Sequence, residues 1–188
     1  MGILLKPAIR ATSVLFNWVR LRGLPDHQRR VDQARRALGT IQAMRGSAVE
    51  ARLFSYLRKI DPLVFEELVL CAFEQAGAFV VRNLRYSGDG GIDGRAWVLG
   101  AGWCAIQAKR YGTHISAQHM AAFATLLQRE GYRVGFFVHT GRTGSAAYAQ
   151  LANERTILLS GSRLVDLLIE RRLHPPIIRK GGTPRRLS

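Results

Sequence analysis

The sequence predicts an α/β fold, a mixed β-sheet flanked by helices, with a basic helical extension at its N-terminus. Three observations predict it. Residues 61–170 alternate between segments of helical and strand periodicity. A glycine-rich turn and a tight hairpin link three consecutive strand-like runs in the first half of that stretch. The chain has 188 residues, 47% of them hydrophobic, enough for one packed body with an appendage.

The elements follow in order. Residues 11–19 form an apolar run too short to span a membrane, preceded by Lys6, Pro7 and Arg10. No small-x-small cleavage site follows it, so it reads as an amphipathic segment that docks on the body or on a partner. Leu24-Pro25-Asp26 opens a helix whose apolar positions are Val31, Ala34, Leu38 and Ile41. Gly46-Ser47 breaks it, and Val49, Leu53, Leu57 and Ile60 carry the next. Asp61-Pro62 supplies an N-cap acceptor and a first-turn proline, and Gly77 ends that helix. Strands are predicted at 79–84, 92–99 and 103–109, with the hairpin turn at Gly100-Ala101-Gly102. A helix over 116–129, a buried strand over 134–138, a helix over 145–153, a strand over 156–159 and a helix over 162–171 complete the body. The tail from Pro175 is predicted to fray.

Charge divides the chain in the same places. The net charge is +15, from 28 Lys and Arg against 13 acids. Residues 1–60 carry +9, residues 61–170 carry zero and residues 171–188 carry +6. A balanced body between basic flanks points to a polyanion, nucleic acid first and an acidic membrane surface second. Cys71 and Cys104 lie in apolar runs and read as buried thiols of a reducing, cytoplasmic compartment. The sequence lacks a CxxC pair, a P-loop, a Rossmann glycine fingerprint and a Gly-x-Ser-x-Gly elbow. Those absences argue against a structural zinc site, nucleotide-driven chemistry and serine hydrolysis.

Four residues carry the candidate chemistry. Asp93 follows the glycine-rich turn, and Gln107 and Lys109 stand two apart on the third strand, on one face. A hairpin centred on 100–102 is expected to set Asp93 across from about position 109. A carboxylate and an ammonium converging beside glycines suit a phosphodiester. A divalent ion would bind the acid and the phosphate, and the lysine would orient or help deprotonate the attacking water. Glu66 shares a helix face with Val69, Leu70 and Phe73, at the core margin, and is the candidate second acid. Glu67 is expected to point further toward solvent. Asp89 reads first as a turn residue and second as a further acid, His139 first as a hydrogen-bonded residue at the core margin and second as one reaching the site edge, and Thr140 as a cap on the next segment. His114 and His119 read as surface side chains, and Trp97 and Trp103 as a cross-strand aromatic pair.

Taken together, Asp61-Pro62-x-x-Phe65-Glu66-x-Leu68, Gly88-Asp89-Gly90-Gly91-Ile92-Asp93 and Gln107-Ala108-Lys109-Arg110-Tyr111 resemble the Mrr-type (type IV) restriction endonucleases of the PD-(D/E)xK nuclease superfamily. The segment Phe136 to Gly141 and the segment Ser160 to Leu168 extend the resemblance across 61–170. It implies a restriction-endonuclease-like mixed sheet and a Mg²⁺- or Mn²⁺-dependent DNA endonuclease that restricts foreign DNA. Asp93 would be the metal-binding aspartate, Gln107 would stand where most of the superfamily has an acid, Lys109 would be the catalytic lysine and Glu66 the helix acid. Asp93, Gln107 and Glu66 would hold the ion. The resemblance further implies double-stranded DNA as partner and a homodimer, since two strands need two sites. Residues 1–60 do not match the winged-helix recognition domain of many relatives. The alternatives are a junction or repair nuclease on the same fold, a DNA-binding module without catalysis, and a basic protein held at a membrane surface by residues 1–22 without stable insertion.

Overall fold

A computed structural model describes residues 5–84, 91–144 and 155–174. The helices are α1 (Leu5–Leu21), α2 (Pro25–Gln42), α3 (Val49–Leu57), α4 (Pro62–Gln75), α5 (Ala117–Arg129) and α6 (Gly161–Leu168). The strands are β1 (Phe79–Arg82), β2 (Gly94–Val98), β3 (Gly102–Lys109), β4 (Val134–His139) and β5 (Thr156–Leu159). They form one sheet in the order β1-β2-β3-β4-β5. The first three strands are antiparallel, and β3, β4 and β5 run parallel. The fold is therefore α/β with a mixed sheet, as the periodicity predicts. The predicted helix over 145–153, the turn residues 87–90 with Asp89, and the tail from Pro175 lie outside the described residues.

Local chemistry explains most element ends. The Asp61 side chain accepts hydrogen bonds from the N–H groups of Leu63 and Val64, at 2.9 and 3.2 Å, and Pro62 occupies the first turn of α4. A cap of this kind is worth about 1 kcal/mol. Ser116 caps α5 by accepting from His119 N–H. β1 is shorter than predicted, because Asn83 turns its side-chain amide onto the carbonyl of Ile92 as the chain leaves the sheet. α6 also stops earlier than predicted. Arg171 adopts a left-handed conformation (φ 53°) and its guanidinium reaches the Gln42 side chain at 3.0 Å.

Side-chain alternation along β3 divides the core in two. Cys104, Ile106 and Ala108 face α4 and the other helices of that layer, whereas Ala105 faces α5 together with Phe137 of β4. Phe73 of α4 meets Phe136 edge-on at 5.1 Å between ring centroids. Packing runs without a break across the 60/61 boundary. Leu38 and Ile41 of α2 and Leu53 and Leu57 of α3 are fully buried in the same core as α4.

α1 covers the outer edge of β1 with polar side chains. Ser13 Oγ accepts from Val80 N–H at 3.0 Å, Asn17 Nδ2 donates to Val80 O at 2.7 Å, and Asn17 Oδ1 accepts from Arg82 N–H at 3.1 Å. Arg20 donates to Arg82 O. An edge strand otherwise offers these groups to another chain. The predicted amphipathic segment thus docks on the body, through its polar residues.

Beneath α1 lies a buried ionic network. Arg82 binds Glu67 (2.8 Å) and Glu74 (2.6 Å), and His27 of α2 binds the other Glu67 oxygen (2.8 Å). All four side chains are buried. This corrects the expectation that Glu67 points toward solvent. Burial alone would raise the Glu67 carboxyl, but the His27 hydrogen bond and the Arg82 guanidinium bring it below its ordinary value.

Candidate active site

The register of the hairpin places the site. Trp97 pairs with Trp103, Gly94 pairs with Ile106, and the two indole rings meet edge-on at 5.8 Å. Asp93 N–H donates to Ile106 O at 2.8 Å, so the ladder carries Asp93 to the level of Gln107 rather than of residue 109. The expected register was two residues off, which leaves the face unchanged. The observed register sets Trp97 directly opposite Trp103, where the two rings stabilise it.

At that level β2 ends while β3 runs on, and the Asp93 carboxylate fills the opening. Its Oδ2 accepts from Ala108 N–H at 2.6 Å. The carboxylate is therefore held on the backbone between Gln107 and Lys109. Glu66 arrives from α4 for a steric reason. One turn further along the helix, Leu70 packs so closely on Gly94 that a Cβ there would meet the leucine at 2.6 Å. Glu66 consequently overhangs the same end of β2.

The electrostatics fits this placement. The Glu66 carboxyl is raised to about 8 by burial and by the Asp93 charge, and Lys109 partly opposes the rise. Two carboxyl groups that repel one another, with an ammonium beside them, describe a position where a cation relieves the repulsion. Gln107 supplies a further observation. It is 7% exposed, and its Oε1 has no hydrogen-bond partner among the described residues. A buried carbonyl oxygen without a donor is costly unless something electropositive meets it. Gly91 (φ 95°) backs this amide, and a Cβ there would overlap Gln107 Nε2. Among the described residues no group of three or more His, Cys, Asp or Glu side chains is placed to hold a metal. A third donor at this site would be the Gln107 amide.

The remaining candidates sit around the rim. His139, level with Lys109 on β4, is fully buried, and burial pushes it down to about 4, so its ring is neutral near pH 7. Thr140 clamps the chain beyond Lys109: its Oγ1 accepts from Tyr111 N–H at 3.0 Å and donates to Tyr111 O at 2.9 Å. The cap expected of Thr140 on the segment that follows it is instead directed back onto Tyr111. His114 and His119 are exposed, and His119 Nδ1 meets the Tyr111 hydroxyl at 2.6 Å. His27 was missed entirely, although it stands on the apolar stripe of α2, four residues before Val31 and seven before Ala34. A histidine on an apolar stripe signals a buried partner.

Two outcomes follow from this geometry. With metal chelated, folding keeps the Glu66 proton up to about pH 8, whereas the unfolded chain loses it near 4.5. Thermal stability of the wild type therefore falls as pH rises from about 4.5 to about 8, and the Glu66→Gln protein lacks that slope. A melt series in chelator reads both. Gly91→Ala displaces the Gln107 amide and strains a left-handed backbone, so divalent-ion affinity drops roughly tenfold in a titration. Unchanged affinity would show that the amide has no part in holding the ion.

The mixed sheet thus carries an acid, an amide and an amine at the level where β2 leaves β3. The family described as restriction endonuclease, in its Mrr catalytic form, matches residues 57–168, more than half of the chain, and the chain belongs to that family. The resemblance read from the motifs is thereby confirmed. The chain is 30% identical over 161 residues to the type IV methyl-directed restriction enzyme EcoKMrr of Escherichia coli K12, a match that covers 78% of this chain and 51% of the relative. It thus spans about half the length of that curated relative. It also resembles the MspJI restriction endonuclease solved with a 27-mer oligonucleotide, at 26% identity and a TM-score of 0.48, over 70% of this chain and 33% of that one.

Proposed function

We propose that the protein is a divalent-metal-dependent endodeoxyribonuclease that cleaves double-stranded DNA in the restriction of foreign DNA, working in the cytoplasm. One observation carries this reading: Glu66 feels both the Asp93 carboxylate and the Lys109 ammonium, and Gln107, level with Asp93 on β3, has a buried oxygen with no hydrogen-bond partner among the described residues. Asp93, Glu66 and Gln107 Oε1 are the residues that would hold Mg²⁺ or Mn²⁺. When bound, the ion supplies Lewis-acid activation of the scissile phosphate and lowers the pKa of water.

The chain's own groups do the rest. The backbone bond from Ala108 fixes the Asp93 carboxylate, so it cannot swing away when charge builds on the phosphate. Lys109 leaves the same strand one residue later. It orients the attacking water for in-line displacement and offsets negative charge on the pentavalent phosphorus. Thr140 keeps the chain after Lys109 in place through its paired bonds to Tyr111. The basic segments 1–60 and 171–188 hold DNA phosphates without reading bases. A homodimer would bring a second site to the second strand.

The reading is tested on methylated and unmethylated supercoiled plasmid with Mg²⁺, Mn²⁺ or chelator. Metal-dependent conversion to nicked or linear DNA is the expected result, and cutting that survives chelation would contradict it. Preference for a four-way junction over linear duplex would move the protein to the junction nucleases. Glu66→Gln slows cutting about as much as Asp93→Asn, and an unaffected Glu66→Gln enzyme would remove Glu66 from the site.

A further inference from the structure

The outer face of α1 is chemically inverted. Ser13 and Asn17 are buried against β1, while Leu15, Trp18 and Val19 are 62%, 55% and 60% exposed. A helix on a soluble body turns its apolar stripe inward. Here the polar residues satisfy the edge of β1, and the apolar residues are left in water. The apolar surface continues onto the sheet. The Phe16 ring lies 5.6 Å from Phe79, Phe79 lies 6.3 Å from Trp103, and Trp103 meets Trp97. An exposed apolar surface of this extent marks a contact site.

Its charge setting narrows the partner. Residues 1–25 contain four Lys and Arg and no acid. The Arg22 guanidinium lies 5.6 Å from the Trp18 ring centroid, and Arg20 lies 5.4 Å from that of Phe16. Arg10, together with Arg35 (ion-paired with Asp32 at 3.5 Å), borders a groove of about 550 Å³ lined by Val14, Leu15 and Trp18. Apolar side chains ringed by arginines, with a tryptophan among them, match an acidic bilayer surface. The chains enter the headgroup boundary while the guanidiniums meet anionic headgroups. A second copy of this face would bring arginines against arginines. A DNA duplex would neutralise the arginines but leave Leu15, Trp18 and Val19 in water.

We propose that α1 docks the protein peripherally on an anionic lipid surface. No helix among the described residues is long and apolar enough to cross a membrane, so the contact lies along the surface. The docking face and the candidate active site are well separated. Trp103 and Lys109 lie at opposite ends of β3, six residues and about 20 Å apart. A lipid-docked chain keeps its active-site rim clear of the bilayer. The inference stands on α1 alone and does not depend on the nuclease reading.

Flotation of the full chain with phosphatidylglycerol–phosphatidylcholine vesicles, against phosphatidylcholine alone, is the test. The wild type floats with the anionic vesicles only. Leu15→Glu with Val19→Glu lowers the bound fraction roughly tenfold or more, with an unchanged melting curve. Arg10→Ser with Arg22→Ser gives a comparable loss and leaves the apolar face intact. Absence of flotation by the wild type overturns the proposal. So does equal flotation by the Glu variant, which would reduce the effect to net charge. A dimer seen by light scattering that the Glu variant dissociates, with no vesicle binding, would assign the face to a second copy instead.

Discussion

Lys109→Ala lowers the rate of phosphodiester cleavage by about a thousandfold or more, and leaves duplex binding within about a factor of three of wild type. The size follows from what the ammonium does. In the proposed reaction it acts on the reacting atoms as charge develops, and removing a positioned catalytic or charge-stabilising group costs about 10²–10⁴ in rate. Binding is spared because the proposed phosphate grip is spread over the basic flanks, where residues 1–60 alone hold 12 Lys and Arg. Lys109→Arg does not rescue, since a planar guanidinium spreads its charge over a rigid fork and does not place a compact point charge where the ammonium sits. Cleavage and filter binding on one plasmid preparation separate the two effects. Equal losses of cutting and binding would make Lys109 a DNA anchor and leave the chemistry without an amine.

The second large effect is on folding. Arg82→Met destabilises the protein by about 3–5 kcal/mol, because Glu67 and Glu74 stay buried with their shared counterion gone. The loss spreads along the edge of β1. Ser13 and Asn17 of α1 share the Glu74 oxygen with Arg82, at 3.0 and 3.3 Å, so the packing of α1 loosens with it. Changing Glu67 and Glu74 to Gln in the same background recovers much of the loss, since no buried charge then lacks a partner. Denaturant melts of the three proteins measure this. A change of less than about 1 kcal/mol in Arg82→Met would mean that the network is solvated in solution and does not tie α1 and α2 to the body.

Much of the fold was legible because its signals are local. Asp61-Pro62 states a helix start in two residues, and β5 occupies the predicted span, 156–159. Both tryptophans of the hairpin are opposed as expected. Glu66 stands at the core margin, and Asp93, Gln107 and Lys109 converge at one end of the sheet. What stayed illegible depends on residues far apart in the chain. A helical wheel sends Glu67 outward because it knows nothing of Arg82, fifteen residues on, or of His27, forty residues back. α1 reads as an ordinary amphipathic segment, yet the unpaired edge of β1 wants its Ser13 and Asn17, and that demand turns its apolar side out. The register error has the same origin. Counting from the hairpin's glycines sets Asp93 two residues off, whereas the observed ladder sets the two rings directly opposite each other.

The central claim is that Asp93, Gln107 and Glu66 share one cation. Titration of the metal-free protein with Mn²⁺, followed by paramagnetic resonance or calorimetry, tests it most directly. A shared site binds one Mn²⁺ per chain in the wild type, with an affinity at least tenfold weaker for Gln107→Ala and no measurable site for Asp93→Asn. Equal Mn²⁺ affinity in all three proteins would contradict it, whatever the chain does to DNA.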